Sequence, residues 1–262
     1  MITWNVDPVL LHLGPLTIRW YGLLFALGFI VGYEIFVKIY KREGKNTDDL
    51  NDLLWYMILG TVIGARLGHC LFYDPGFYLS HPLEILMIWH GGLASHGAAI
   101  GILIALWLYT KKKPDQPFLW LMDRIVIVVA LGGSFIRIGN LFNSEIIGKP
   151  TNSDWGFIFT RIDNIPRYPS QIFEAAAYFL IFVITLYIYI KYFGQFKDGF
   201  IFGIFLVLTF TFRFFIEFIK EDQSAFERGM ILDMGQILSI PFILAGIWLI
   251  WKSLKSSPNR KK

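Results

Sequence analysis

An arginine, two asparagines and a glutamate stand close together in the segment GGSFIRIGNLFNSEIIG, the strongest chemical signal in the sequence. Arg137 and Asn140 are three residues apart, so on a helix their side chains lie on one face. Asn143 and Glu145 continue the polar run beyond the predicted helix. A guanidinium beside neutral amides offers a planar fork of donors suited to a phosphate group. The alternative is structural, with Arg137 pairing with Glu145 to anchor the loop.

Other polar residues interrupt apolar stretches. His96 stands among glycines in GGLASHGAAIG. An imidazole is well suited to take up a proton near neutral pH, although a satisfied packing histidine is the alternative. Arg213 and Glu217 are four residues apart, the separation of an intrahelical ion pair that serves stability or a polar ligand. Tyr21, in IRWYG, is by position alone an interfacial aromatic residue.

Small residues mark a second helix face. Gly60, Gly64 and Gly68 are spaced four apart, a pattern that lets two helices approach closely. Arg66 and His69 are three apart on the same predicted helix and are neighbours on its surface. Either this is a packing helix, in which Arg66 reaches the interface or pairs with a carboxylate, or Arg66 belongs to a functional cavity.

The chain that must position these groups is unusually apolar. Hydrophobic residues make up 55%, charged residues 17% and aromatic residues 18%, and the mean hydropathy is +0.52. Soluble domains carry about 25% charged residues, so an integral membrane protein is predicted. A charged side chain at the centre of the bilayer costs roughly 2.5–3.5 kcal/mol of insertion free energy, so each charged residue in a predicted span requires an explanation. The single cysteine, Cys70, excludes a disulfide framework and a multi-cysteine metal site.

Windows of about 20 apolar residues predict the membrane-spanning helices. About seven are found, over residues 17–40, 51–74, 92–110, 117–140, 171–193, 199–219 and 230–252. The predicted fold is therefore an all-α, polytopic helix bundle, a single transmembrane domain over residues 1–262. It includes a loop or head segment at about 141–170 and a short basic tail at 253–262. We expect no cleavable signal peptide, because no Lys- or Arg-rich segment precedes the first apolar run.

The distribution of positive charge predicts the orientation. One set of flanks holds 14 of the 24 Lys and Arg residues, and the other set holds six. Because cytoplasmic flanks carry the excess of Lys and Arg, the C-terminus is predicted in the cytoplasm and the N-terminus outside. The segment 141–170 then faces the outer side.

The segments that carry these signals resemble, in the same order along nearly the whole chain, motifs of the prolipoprotein diacylglyceryl transferases of bacterial inner membranes. They are IRWYG at 18–22, GARLG at 64–68, LFY at 71–73, GGLASHG at 91–97, R-x-G-N-x-x-N-x-E-x-x-G at 137–148, RYPSQIFE at 167–174, RFFIEF at 213–218 and MGQILSIP at 234–241. The chain departs from the family's usual Gly, Phe, Gly and His at Ile136, Leu141, Ala98 and Tyr168. These exchanges leave each polar atom in place.

The resemblance implies the first step of bacterial lipoprotein maturation. The diacylglyceryl group of phosphatidylglycerol moves to the lipobox cysteine thiol of a preprolipoprotein, a thioether forms and glycerol 1-phosphate leaves. Arg137 and Arg213 are expected to hold the phosphate, because negative charge accumulates there as the carbon–oxygen bond breaks. His96 is expected to act as the base, because the thiol must become a thiolate. A phosphate or a carboxylate is the alternative acceptor.

The expected catalytic residues are His96, Arg137 and Arg213. The expected substrate-binding residues are Tyr21, Arg137, Asn140, Asn143, Glu145, Arg213 and Glu217. The expected partners are phosphatidylglycerol, the preprolipoprotein signal peptide with its lipobox cysteine, and membrane lipids, but not nucleic acid. We expect no metal or cofactor, because the lipid supplies the transferred group. The expected location is the inner (cytoplasmic) membrane.

Two other functions compete with this interpretation. A lipid or small-anion transporter would usually show inverted repeats and broken helices, and the sequence has no such symmetry. An intramembrane protease is suggested by Ser95-His96. Adjacent residues on a helix point about 100° apart, so these two cannot form a nucleophile–base pair within one helix.

Overall fold

The computed structural model describes residues 1–14, 16–88, 91–153, 155–221 and 232–255. Within these ranges the chain forms eight α-helices: α1 Trp20–Arg42, α2 Asp49–Phe72, α3 Pro75–Ser80, α4 Ser95–Lys112, α5 Phe118–Asn143, α6 Ser170–Lys191, α7 Phe200–Ile216 and α8 Met234–Lys255. The described ranges also contain two 3₁₀ turns, at Pro82–Leu86 and Glu217–Ile219. The predicted helical fold is confirmed.

Six of the described helices are long and apolar enough to cross a membrane. They are α1, α2, α5, α6, α7 with its 3₁₀ extension, and α8. The predicted span 92–110 forms α4, which is not among the six because its 18 residues begin with Ser95-His96 and end with two lysines. The chain is thus a multi-pass membrane protein, while the count of seven and the orientation stay predictions. The predicted start at 230 and most of the tail lie outside the described residues.

Short strands, which the sequence analysis did not predict, lie outside the helices. β1 (Ile2–Trp4) pairs in parallel with β4 (Phe157–Phe159), and β4 pairs antiparallel with β5 (Pro166–Arg167). A separate hairpin joins β2 (Val9–Leu13) to β3 (Leu16–Arg19). Trp4 of β1 donates from Nε1 to the carbonyl of Leu141 at 3.0 Å. The three-stranded sheet is therefore attached to the end of α5.

The chain divides into two compact units. The first comprises Met1–Phe36 and Met122–Lys262, and the second comprises Val37–Leu121. The helices α1 and α5 each contribute to both units. The single transmembrane domain, the head segment and the tail stay predictions.

In the second unit, α2 and α4 pack through glycines. A Cβ atom at Gly60 would lie 2.8 Å from the carbonyl oxygen of Gly101, and one at Gly68 would lie 2.6 Å from the Cα of Gly97. A Cβ at Gly64 would meet the carbonyl oxygen of Gly97. These positions leave no room for a side chain, which confirms the close approach predicted from the spacing.

In the first unit, α5 holds the beginning of α7. The Asp123 carboxylate accepts hydrogen bonds from the backbone N–H groups of Gly199 and Phe202, at 2.8 and 2.7 Å. It thereby satisfies donors that the first turn of a helix leaves without intrahelical partners. Gly199 has φ of +97°, a conformation that glycine adopts without steric cost.

Candidate active site

Five charged side chains of the first unit, here called the ion-pair series, alternate in sign. The series is Arg137, Glu174, Lys220, Glu217 and Arg213. Arg137 Nε lies 3.3 Å from Glu174 Oε2, and Lys220 Nζ lies 3.7 Å from Glu174 Oε1. Lys220 Nζ is also 3.0 Å from Glu217 Oε1, which lies 3.7 Å from Arg213 Nε. The intrahelical pair predicted for Arg213 and Glu217 is therefore confirmed, as part of a larger series.

The ion-pair series is buried in its middle and most open at Arg213. The side chains of Glu174 and Lys220 are each 4% exposed, whereas Arg213 is 40% exposed. A buried charge is tolerated when an opposite charge lies beside it, which explains why the inner members alternate. Both terminal arginines face their carboxylates through Nε. Among the described residues, only Nη1 of Arg137 has a partner of its own, Asn140 Oδ1 at 3.3 Å.

The amides at the end of α5 bind a different carboxylate. Asn140 Nδ2 donates to Glu145 Oε2, and Asn143 Nδ2 donates to Glu145 Oε1, both at 3.2 Å. The alternative in which Arg137 pairs with Glu145 is therefore wrong. The helix ends at Asn143 and the chain turns back, so Glu145 meets the amides while α6 supplies Glu174 to the guanidinium.

The turn that carries Glu145 is strained. Ser144 and Ile146 have φ of 56° and 55°, a left-handed conformation that is unfavourable for a β-branched residue. The beginning of α6 holds this turn: Gln171 Nε2 donates to the Glu145 carbonyl and Ser170 Oγ donates to the Ile146 carbonyl, both at 2.7 Å. Such strain is concentrated at functional sites and needs strong support from its surroundings.

Gly148 lets the segment 141–170 approach the ion-pair series. The N–H of Gly148 donates to the Tyr168 carbonyl at 3.0 Å, and the N–H of Lys149 donates to the Ile219 carbonyl at 2.8 Å. A Cβ at Gly148 would meet the Tyr168 carbonyl and lie 3.0 Å from that of Ile219. Gly148 therefore permits the contact with the turn that carries Glu217.

Arg167 stabilises the same segment through buried hydrogen bonds. It is 6% exposed, and its Nη2 donates to Asp163 Oδ2 at 2.6 Å. Its Nη1 donates to Glu221 Oε2 at 2.8 Å and to the Gly148 carbonyl at 3.2 Å. The hydrogen bonds from Arg167 lower the pKa of the Asp163 carboxyl, and Asp163 in turn raises the pKa of Arg167. Among the described residues, its side chain contacts only Asp163, Gly148 and Glu221, so Arg167 has a structural role.

Tyr21 contacts the site, which its position as an interfacial aromatic did not predict. Its ring covers Gly139 of α5, where a Cβ would lie 2.8 Å from Tyr21 Cδ2. The phenol lies within electrostatic range of Glu145 and Arg137. The structure therefore brings together seven of the predicted residues in the first unit: Tyr21, Arg137, Asn140, Asn143, Glu145, Arg213 and Glu217.

His96 lies in the second unit, in the first turn of α4. It is exposed, and its described contacts are aromatic: the ring centroids of Phe72 and Tyr73 lie 5.3 and 5.9 Å away. The ring of His69 stacks on that of Tyr73, with the ring centroids 5.4 Å apart. The role of His96 as a base stays a prediction.

Arg66 has a role that the sequence analysis did not consider. It is 3% exposed, and its Nε donates to the Ile85 carbonyl while Nη1 donates to the Gly91 and Gly92 carbonyls, at 2.9, 2.6 and 3.2 Å. Nη2 donates to the Glu84 carbonyl. In the described part of the chain its guanidinium contacts carbonyls and no carboxylate, so the carboxylate-paired alternative is wrong. Arg66 holds the main chain that leads into α4.

The sequence analysis assigned no role to Glu174 and Lys220. Glu174 ends the motif RYPSQIFE and stands inside a predicted span, and an unassigned carboxylate there was the available signal. Lys220 was counted only as a basic flank. Within the described residues, no group of three or more His, Cys, Asp or Glu side chains is placed to hold a metal ion.

A family model for prolipoprotein diacylglyceryl transferase matches residues 8–252. The chain belongs to the prolipoprotein diacylglyceryl transferase family. It is 52% identical to the phosphatidylglycerol–prolipoprotein diacylglyceryl transferase of Tolumonas auensis, over 97% of this chain and 98% of that protein. The proteins of that name from Chloroherpeton thalassium and Bacteroides fragilis are 48% and 43% identical, over 99% and 95% of this chain and 97% and 94% of theirs.

The resemblance read from the motifs is thus confirmed, and the chain is a transferase of this family. Family membership covers both compact units, because the match extends from the hairpin to α8. It assigns no role to individual residues. Those roles are argued below from the contacts of each side chain.

Proposed function

We propose that this family member transfers the diacylglyceryl group of phosphatidylglycerol to the lipobox cysteine of preprolipoproteins at the bacterial inner membrane. The supporting observation is the ion-pair series, which ends in two arginines. Among the described residues, the terminal nitrogens of these arginines have one hydrogen-bond partner, Asn140. A guanidinium fork binds the oxygens of a phosphate through two parallel hydrogen bonds. A lipid whose headgroup carries one phosphodiester suits such a pair.

The chemical step exchanges a carbon–oxygen bond for a carbon–sulfur bond. The thiolate attacks the glycerol carbon that is bonded to the phosphate oxygen, and the carbon–oxygen bond breaks with its electron pair moving to that oxygen. The products are the thioether-linked diacylglyceryl peptide and glycerol 1-phosphate. Because the leaving phosphate gains negative charge, Arg137 and Arg213 stabilise the transition state more than the bound lipid, which is the requirement for catalysis.

The remaining residues orient the headgroup. Asn140 bridges Arg137 and Glu145, so that it couples the phosphate side of the site to the carboxylate. Glu145 and Asn143 are the groups suited to the glycerol hydroxyls, since a carboxylate accepts the hydrogen bonds that hydroxyls donate. Tyr21 binds the headgroup or the backbone of the peptide, and Glu217 holds Arg213 in place.

His96 accepts the proton of the thiol in this proposal. The thiol is a poor nucleophile, and the cysteine becomes reactive only as the thiolate. A neutral imidazole takes up a proton near physiological pH. The proton released from sulfur then remains on the imidazole after the phosphate has left, so charge and protons balance.

The direct test uses purified protein, phosphatidylglycerol and a synthetic lipobox peptide. We expect the mass of the peptide to increase by that of one diacylglyceryl group, with glycerol 1-phosphate released in equal amount. A peptide with serine in place of the cysteine and vesicles of phosphatidylethanolamine are the controls. An unchanged peptide mass refutes the proposal, and it is the result that a transporter would give.

A further inference from the structure

The two arginines assigned to the phosphate lie on different helices and are connected through buried side chains. Glu174 of α6 faces Arg137 through Oε2 and Lys220 through Oε1, at 3.3 and 3.7 Å. Lys220 then contacts Glu217 at 3.0 Å. Glu174 and Lys220 therefore form the central link between the arginine of α5 and the arginine of α7.

Glu174 and Lys220, the central link, are held mainly by their ion pairs. Glu174 Oε2 is buried and accepts no hydrogen bond within the described chain, so the approach of Arg137 Nε compensates its charge. Lys220 donates to Glu217 and is itself only 4% exposed. A change in the charge of either residue must therefore be transmitted to its neighbours, since water does not screen the pair.

We propose that Glu174 and Lys220 are positioning residues that fix Arg137 relative to Arg213, so that both guanidinium forks bind one phosphate. This inference rests on the proposed function, because it takes the phosphate of the lipid as the ligand. Neither residue needs to touch the lipid. Their effect is exerted through the arginines, whose Nε atoms face carboxylates. Among the described residues, Nη2 of Arg137 and both terminal nitrogens of Arg213 have no hydrogen-bond partner, so they are available to a ligand.

A purely structural pair would behave differently from a positioning pair, and a double substitution separates them. Glu174→Gln alone removes the carboxylate between the cations Arg137 and Lys220, and Lys220→Met alone removes the ammonium between the carboxylates Glu174 and Glu217. Like charges then face each other in a buried site, which destabilises the protein whatever the pair does. The double variant removes both charges, and neutral replacements of a buried pair often restore stability. The pair then no longer fixes the distance between the arginines.

The experiment compares the two single variants, the double variant and Lys149→Met as the control. Lys149 is an exposed lysine that donates to the Phe218 carbonyl near the ion-pair series without belonging to it. For each variant the thermal midpoint, kcat and KM for phosphatidylglycerol, and the inhibition constant of added glycerol 1-phosphate are measured.

In the double variant, we expect the thermal midpoint to return towards that of the wild type while kcat/KM stays lower by about 100-fold. The inhibition constant of glycerol 1-phosphate should rise at least about tenfold, because two separated guanidinium forks bind one phosphate less well. Lys220→Arg, which keeps the charge, should retain most of the activity. Lys149→Met should match the wild type in every measurement.

A folded neutral variant with the kcat/KM and inhibition constant of the wild type overturns the inference. If none of the neutral variants folds, Glu174→Asp replaces them, because it keeps the charge but withdraws it by one methylene. Lower kcat/KM at an unchanged thermal midpoint then supports positioning, and an unchanged kcat/KM refutes it. Failure of the proposed function is seen separately, as absence of transfer by the wild-type protein.

Discussion

The two compact units each contain an arginine in a membrane-spanning helix, and they use it differently. Arg66 of the second unit donates from three nitrogens to main-chain carbonyls. Arg137 of the first unit faces Glu174 through Nε and Asn140 through Nη1. A guanidinium whose nitrogens are all occupied by carbonyls fixes the backbone, whereas one whose Nη2 has no partner among the described residues can still bind an anion. The contacts of Arg66 therefore indicate a role in the fold, whereas those of Arg137 are compatible with a role in the candidate site.

The glycines of the two units also differ in what they contact. In the second unit, Gly64 faces the backbone of Gly97, and the contact serves the packing of two helices. Near the ion-pair series, a Cβ at Gly235 would lie 2.6 Å from Glu217 Oε1, and one at Gly139 would meet the ring of Tyr21. There the glycines make room for the polar side chains of the site.

The largest effect is expected from the one predicted catalytic residue of the second unit. His96→Ala should lower the rate of transfer by about 10²–10⁴-fold, the contribution of a general base. The thermal midpoint should change little, because His96 is exposed. Peptide mass measured over time gives the rate, and His81→Ala is the matched control. Full activity of His96→Ala would assign the proton to the phosphate or to a carboxylate instead.

Arg137→Ala should lower transfer by about 10²–10³-fold, the loss expected when a donor to developing negative charge is removed. The exposed Arg161, replaced by Ala, is the control for the loss of a positive charge. The same mass assay measures both variants. Undiminished transfer by Arg137→Ala would remove the argument that the ion-pair series ends in a phosphate site.

Gly64→Leu should act on folding first. Its side chain would meet the carbonyl oxygen of Gly97, and overpacking of this kind lowers the free energy of unfolding by about 1–3 kcal/mol. Gly132→Ala is the control, because no heavy atom lies within 4 Å of its added Cβ. That variant should be as stable as the wild type or slightly more so. Equal thermal midpoints for Gly64→Leu and the wild type would contradict the glycine packing.

Arg66→Lys should retain part of the activity and lose about 1 kcal/mol of the free energy of unfolding. An ammonium group lacks the planar fork and cannot reach the carbonyls of Glu84, Ile85 and Gly91 together. Thermal unfolding and the mass assay on one preparation measure both quantities. Complete inactivation at an unchanged thermal midpoint would instead place Arg66 in the site.

The smallest effect concerns the segment 141–170 and depends on pH. Because Arg167 lowers the pKa of Asp163 in the folded protein, the pair stabilises the protein above the unfolded pKa of about 4 and loses this contribution as the pH falls through the folded value. Asp163→Asn should cost less than about 1 kcal/mol at neutral pH. Its thermal midpoint should fall less steeply than that of the wild type as the pH is lowered towards 3. Parallel curves would contradict the assignment.

Local spacing predicted several of these features. The glycines of α2 and the pair of Arg213 and Glu217 are separated by three or four residues, and helical geometry alone places them together. Glu174 pairs with Arg137 from 37 residues away, so the contact depends on how α6 packs and not on any periodicity. Lys220 is only three residues from Glu217 but was interpreted as a topology signal, since a flanking lysine is normally solvated.

The left-handed turn around Glu145 was equally inaccessible from the sequence. Neither Ser144 nor Ile146 is a residue that favours positive φ, and their conformation is imposed by Ser170 and Gln171 at the beginning of α6. The strands β4 and β5 are too short to produce a recognisable alternation. Predictions from the sequence failed where tertiary contacts override local preference.

The hydrogen bonds that Asp123 accepts from the beginning of α7 also affect the positions of the two arginines. Arg137 lies 14 residues after Asp123 on α5, and Arg213 lies 14 residues after Gly199, the residue that Asp123 caps on α7. At 1.5 Å per residue, each arginine stands about 21 Å along its helix from that common anchor. Because α5 and α7 are joined at Asp123 and the two distances are equal, Arg137 and Arg213 lie at the same level. A single carboxylate at the other end of α5 and α7 therefore sets the positions of both guanidinium groups along their helices.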